Sequence, residues 1–165
     1  MNGMFGRVIV FLCCTGVGWE LAGRSGRRRQ ELAASAQLVR RLTGELGYSM
    51  KPADELIGML CKENGFDKLW YLRAFCELEE LPFPERWRRS VMSRTGNLDE
   101  DERQLLLRVG EVLGCYDLDT QLQQLLPIAE QLQQRAQELG EQVAKDRRLY
   151  TSLGPLAGLA ACILL

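Results

Sequence analysis

Few residues in this chain are of a type that does chemistry, and their spacing assembles none of the familiar sites. Cys13, Cys14, Cys61, Cys76, Cys115 and Cys162 occur without any C-x-x-C spacing. Histidine is absent from the 165 residues, which removes the His-based triad and the usual mixed zinc sites. No Gly-rich loop ends in Gly-Lys-Ser/Thr, so nucleotide is not held that way. The acidic pair Asp99 and Asp101 falls at a helix start, where negative charge is favourable without any catalytic reason. Glu20 is a carboxylate inside an apolar run, but it stands near the end of that run, where a long side chain snorkels to the interface. The reading is a non-catalytic chain with no catalytic, cofactor-binding or metal-ligating residue and no small-molecule substrate. A formal net charge of −1 also argues against nucleic acid as a partner. The interior thiols Cys61, Cys76 and Cys115 fit buried reduced cysteines facing a reducing cytosol; a disulfide among them is the open alternative.

One cluster invites a binding role. Arg86, Arg88, Arg89 and Arg94 crowd around Trp87 in E-R-W-R-R-S-V-M. Such a patch suits an acidic partner or lipid headgroups. The competing reading turns Trp87 and Val91 inward and leaves the arginines in solvent.

The elements that must position these residues are helical throughout. Leu32, Ala36, Val39, Leu42 and Leu46 recur at helical steps, which predicts a helix from about Arg27 to Gly47. Pro52 opens a second, with Asp54 and Glu55 in its first turn and Leu56, Ile57, Leu60 and Cys61 on its inner face; Asn64-Gly65 ends it. A third spans about Phe66 to Leu78 and is broken at Leu81-Pro82-Phe83-Pro84. After the arginine-rich helix, Gly96-Asn97 turns the chain, and Asp99 to Glu102 start a helix that ends at Gly114. Asp117 caps the last helix. In it Leu118, Leu122, Leu125, Ala129, Leu132, Ala136, Leu139 and Val143 form a heptad seam, and Pro127 is expected to kink it. The seam has two uses: a coiled coil with another subunit, or packing within an antiparallel bundle.

Apolar runs lie at both ends. The first, about Met4 to Ala22, reaches roughly 28 Å as a helix, close to a hydrocarbon core, and Trp19 stands where an aromatic anchor would. A signal peptide is the competing reading, but the arginines that follow the run resist translocation. The second run, from Tyr150, spans about 24 Å, and Gly154, Ala157, Gly158 and Ala161 give it a small-residue face for another membrane helix. Arg24, Arg27, Arg28 and Arg29 flank the first run, and Lys145, Arg147 and Arg148 flank the second. Both flanks put the middle of the chain in the cytoplasm, and the arginines suit anionic headgroups. The expected organisation is an N-terminal transmembrane helix over 1–23, a cytoplasmic helical domain over 24–149 and a C-terminal transmembrane helix over 150–165. The fold class is all-α, an antiparallel bundle flanked by membrane helices.

Four stretches of this pattern resemble the stage III sporulation protein AB family of endospore-forming bacteria: R-R-R-Q-E-L (27–32), L-T-G-E-L-G-Y-S-M-K-P-A (42–53), L-L-L-R-V-G-E-V-L-G-C-Y-D-L-D-T-Q (105–121) and Y-T-S-L-G-P-L-A-G-L (150–159). The third is similar to the family's Leu-Gly-x-x-Asp-x-x-x-Gln signature through Leu113, Gly114, Asp117 and Gln121. The fourth is similar to its Tyr-x-x-Leu-Gly-x-x-x-Gly tail. Pro127 and the region 80–95 depart from the family pattern, so the arginine patch takes no role from it. The resemblance implies a subunit of a channel-like assembly between mother cell and forespore, similar to the F-type platform protein of type II secretion. Implied with it are a mother-cell membrane location, a cytoplasmic secretion-type ATPase and the other stage III sporulation membrane subunits as partners. The alternative without the resemblance is a secreted or membrane-tethered helical protein-interaction module.

Overall fold

A computed structural model describes the backbone of residues 2–49, 51–66, 69–93, 96–115 and 117–164, and side-chain surroundings within 25–49, 51–66, 69–93, 96–113 and 117–145. Among the described residues the chain is all-α, with six helices and no strand: α1 Asn2–Ser49, α2 Ala53–Leu60, α3 Trp70–Glu77, α4 Phe83–Met92, α5 Glu100–Cys115 and α6 Leu118–Leu164. The chain divides into two compact units, Arg28–Ala136 and Met1–Arg27 with Gln137–Leu165. The expected transmembrane segments 1–23 and 150–165 lie outside the residues whose side chains are described. Among the described residues no helix is long and apolar enough to cross a membrane.

Within Arg28–Ala136 the buried side chains follow the helical spacing. Leu32, Ala36, Val39, Leu42 and Leu46 of α1 are buried, as are Leu56, Ile57 and Leu60 of α2. The α1 helix is continuous from Asn2 rather than beginning near Arg27, and it runs two residues past Gly47. The stop comes from Pro52: proline disfavours helical conformation in the residue before it, and Pro52 itself adopts extended backbone as the N-cap of α2. Pro82 does the same for α4, with Pro84 just inside the first turn, where a missing N–H costs nothing.

The second and third helices are shorter than their apolar spacing predicts. The chain leaves α2 at Leu60 through tight turns, with Lys62 N–H donating to Met59 O (3.1 Å) and Glu63 N–H to Leu60 O (3.1 Å). Gly65 then takes φ 120, a conformation that side chains with a Cβ rarely adopt. Phe66 and Leu69 are buried but precede α3. A single apolar run therefore feeds the core from both a turn and a helix.

The centre of this unit is aromatic. Trp87 packs edge-on against Tyr71 (centroids 5.8 Å) and Phe75 (6.0 Å) and lies stacked with Phe83 (6.5 Å). Its indole N–H donates to Leu106 O at 2.7 Å, which ties α4 to α5. Tyr71 is buried and donates to Ser35 Oγ at 2.9 Å, which ties α3 to α1; burial pushes its hydroxyl pKa up. Gly110 lets α5 approach Trp87 closely, since a Cβ there would lie 2.8 Å from the indole Cγ. Gly110→Ala is expected to cost about 1–3 kcal/mol by overpacking, read as a lower denaturant midpoint with little change in m-value.

The α6 helix runs through Pro127 without interruption. Its seam is used inside the chain: Leu125, Ala129, Leu132 and Ala136 are buried, as is Ile128 beside the seam. Leu118, at the start of the seam, is exposed, and Leu139 and Val143 are half-buried.

Candidate interaction surfaces

Arg28, expected among the membrane-flanking arginines, is engaged inside the domain. Asp99 and Glu102 form a reciprocal cap at the start of α5: Asp99 N–H donates to Glu102 Oε2 and Glu102 N–H to Asp99 Oδ1, each at 2.9 Å. The Arg28 guanidinium grips both carboxylates. Its Nε lies 3.0 Å from either Glu102 oxygen, its Nη2 lies 2.6 Å from Glu102 Oε1, and it also pairs with Asp99. Glu102 is 1 % exposed, so this arginine neutralises a buried carboxylate and is not free for headgroups. One turn on, Glu31 accepts from Asn97 N–H (2.9 Å) and Asn97 Nδ2 (2.6 Å). Arg135 of α6 approaches Asp101 at 3.9 Å. The 97–102 segment is thus clamped to α1. Arg27, Arg29 and Lys145 are exposed. Arg24, Arg147 and Arg148, with the small-residue face Gly154, Ala157, Gly158 and Ala161, lie outside the described side chains.

The arginine patch divides in two. Trp87 and Arg86 are buried. Arg86 Nε donates to Phe75 O (2.7 Å), Nη1 pairs with Asp54 (2.9 Å), and the guanidinium sits 3.9 Å over the Phe75 ring. A cation so satisfied is a core fastener joining α2, α3 and α4. Arg88 and Arg89 remain on the surface, with Arg89 bonded to Glu85 at 2.7 Å. The partner patch is therefore narrower than its sequence suggests.

The opposite end of α1 carries a surface that the sequence reading passed over. Tyr48 is 94 % exposed and Met59 is 48 % exposed, with Lys51 Nζ 3.5 Å from the Met59 sulfur. Exposed tyrosine and methionine side chains are of the types enriched at protein contacts. Tyr48 lies roughly 30 Å along α1 from Arg28 at about 1.5 Å per residue. One signal was available: Tyr48 is out of phase with the Leu42–Leu46 stripe, and Met59 with Leu56, Ile57 and Leu60.

The thiols Cys61 and Cys76 are free and half-buried. Burial first, then the neighbouring Cys76, pushes the Cys61 thiol from 9.0 up to about 12. Because the folded-state value is raised, the neutral thiol's contribution is fully present below pH 9.0 and fades as pH rises towards 12. Cys61 is accordingly expected to react with iodoacetamide at pH 8 more slowly than an unfolded-chain cysteine, with the two rates converging in denaturant. Among the described residues no group of Cys, Asp or Glu is placed to hold a metal ion.

Comparison with known proteins gives this architecture its family. The family model for stage III sporulation protein AB matches residues 3–165. The chain belongs to the stage III sporulation protein AB family. It is also similar to the stage III sporulation protein AB of Bacillus subtilis (strain 168), 23 % identical over 170 residues covering 100 % of this chain and 99 % of that one. No solved structure matches. Family membership carries a role in sporulation, and the family has no known catalytic role. The stretch that resembles the signature of stage III sporulation protein AB now has a physical account. Asp117 caps α6, accepting from Thr120 N–H (3.3 Å) and Thr120 Oγ1 (2.7 Å), bonds that hold its carboxyl below the usual value. Gln121 Nε2 donates to Leu113 O at 3.3 Å, covering a carbonyl in the last turn of α5. Asp117 and Gln121 shape the α5–α6 corner.

Proposed function

We propose that this chain is a membrane platform subunit of the stage III sporulation complex between mother cell and forespore, docking a cytoplasmic secretion-type ATPase without catalysing a reaction itself. In this reading residues 1–23 and 150–165 are transmembrane helices in the mother-cell membrane, and the helical domain between them is cytoplasmic. The basic residues Arg24, Arg27, Arg29, Lys145, Arg147 and Arg148 favour that orientation. The face made by Gly154, Ala157, Gly158 and Ala161 meets a helix of another membrane subunit. The parallel is the F-type platform protein of type II secretion.

The observation that carries the docking reading is the exposure of Tyr48 and Met59. Among the described residues Tyr48 is the large exposed aromatic, and it lies far along α1 from the clamped Arg28. Topology is tested by a reporter inserted at the exposed Asn64-Gly65 turn. Cytoplasmic reporter activity is the expected result. Activity outside the cytoplasm favours the secreted or tethered interaction module instead.

A further inference from the structure

A second surface, on the other side of the aromatic core, carries a different inference. Between α4 and α5 lies a concave space of about 390 Å³, lined by Pro84, Trp87, Arg88, Leu107, Gly110 and Glu111 among others. Its floor is apolar, because the Trp87 indole packs closely against Gly110 there. Exposed charges from both helices stand on the rim, Arg88 from α4 and Glu111 from α5. Glu85, which also lines the groove, is paired with Arg89 within α4. Arg88 and Glu111 have no such partner among the described residues. Met92, one helical turn beyond Arg88, is 46 % exposed and extends the same face with an adaptable apolar side chain.

We propose that this groove is a self-association surface, on which a second copy of the chain docks about a two-fold axis with Arg88 of each copy against Glu111 of the other. A partner surface of one sign would satisfy one rim charge and repel the other. A two-fold axis presents every residue of the patch to its counterpart on the same patch. One cation and one anion on facing helices therefore become two ion pairs, and the Met92 side chains supply apolar bulk between them. The other route to self-association through this unit, the α6 seam, is closed over Leu125 to Ala136 because the chain's own core fills it. Two short helices offer less area than the roughly 800 Å² per partner of a standard interface. The dimer is accordingly weak in solution, and confinement to a membrane would raise its effective concentration. This inference does not depend on the ATPase.

The test uses the full-length chain in detergent, followed by sedimentation velocity over a concentration series. The wild-type chain is expected to pass from monomer to dimer. Arg88→Glu and Glu111→Arg, both at exposed positions and checked for unchanged helicity, are each expected to weaken dimerisation about tenfold or more. An equal mixture of the two single variants is expected to recover dimers near the wild-type strength, since each mixed dimer restores both opposite-charge contacts. A wild-type chain that stays monomeric throughout, a dimer indifferent to both substitutions, or single variants that fail to rescue each other would each overturn the proposal.

Discussion

Trp87→Ala is expected to destabilise the helical domain by about 3–5 kcal/mol, the range for removing a buried tryptophan. Trp87 is 1 % exposed, touches rings from α3 and α4, and bonds to α5 through Leu106 O. Its loss leaves a cavity at the point where three helices meet, and the surrounding rings cannot fill it without leaving their rotamers. Against a total stability of about 5–15 kcal/mol, the variant is near the limit of folding. Trp87→Phe keeps most of the apolar volume and gives up the bond to Leu106, so a clearly smaller loss is expected. Chemical denaturation followed by circular dichroism measures both. Equal, small losses for the two variants would mean that the aromatic cluster is not the centre of the core.

The second large effect is expected at the α1–α5 clamp. Arg28→Met removes the cation that faces Glu102 and leaves a buried carboxylate with the Asp99 N–H as its remaining donor. Breaking a fully buried ion pair from one side costs roughly 3–5 kcal/mol. The Arg28 side chain is 31 % exposed and water screens part of the pair, so roughly 2–3 kcal/mol is expected here. The signature of the mechanism is non-additivity. Arg28→Met combined with Glu102→Gln is expected to be more stable than Arg28→Met alone, because the neutral amide retains the capping acceptor and no longer buries a charge. If the double variant is instead the sum of its parts, the arginine acts through packing rather than by neutralising Glu102.

These two sites show where sequence reasoning stops. Helix positions were legible from local chemistry: Pro52 and Pro82 mark the starts of α2 and α4, Asp99 to Glu102 announce α5, and Asp117 starts α6. The buried faces of α1 and α2 follow from spacing alone. Long-range pairing leaves no such trace. Arg28 and Glu102 are separated by 74 positions, so a clamping arginine reads like its neighbours Arg27 and Arg29, which are exposed. Arg86 and Arg88 are two residues apart in one arginine-rich string, yet one is sealed over Phe75 and the other lies on the groove rim. Helical phase separates them, because Arg86 falls beside Trp87 and Ser90 on the inward side. The aromatic cluster was equally hidden, since Tyr71, Phe75 and Trp87 come from two helices whose approach no local pattern encodes. The heptad seam was legible as a stripe but not as an internal one.

The exposed surface shows the complementary failure. Core periodicity draws attention to the residues in phase, whereas Tyr48 and Met59 are out of phase and uncovered. An aromatic side chain left in solvent has not used its apolar area within the chain, and a partner that covers it gains that burial.

Binding of the secretion-type ATPase proposed as partner to the full-length chain, held in membranes or nanodiscs, tests the platform account most directly. The account predicts that the ATPase co-sediments with the wild-type chain and that Tyr48→Ala with Met59→Ala weakens the binding about tenfold or more, as loss of an aromatic anchor does at other interfaces. The helicity of the domain should stay unchanged, because both residues are exposed. An ATPase that does not bind the wild-type chain, or that binds the double variant equally well, would contradict it.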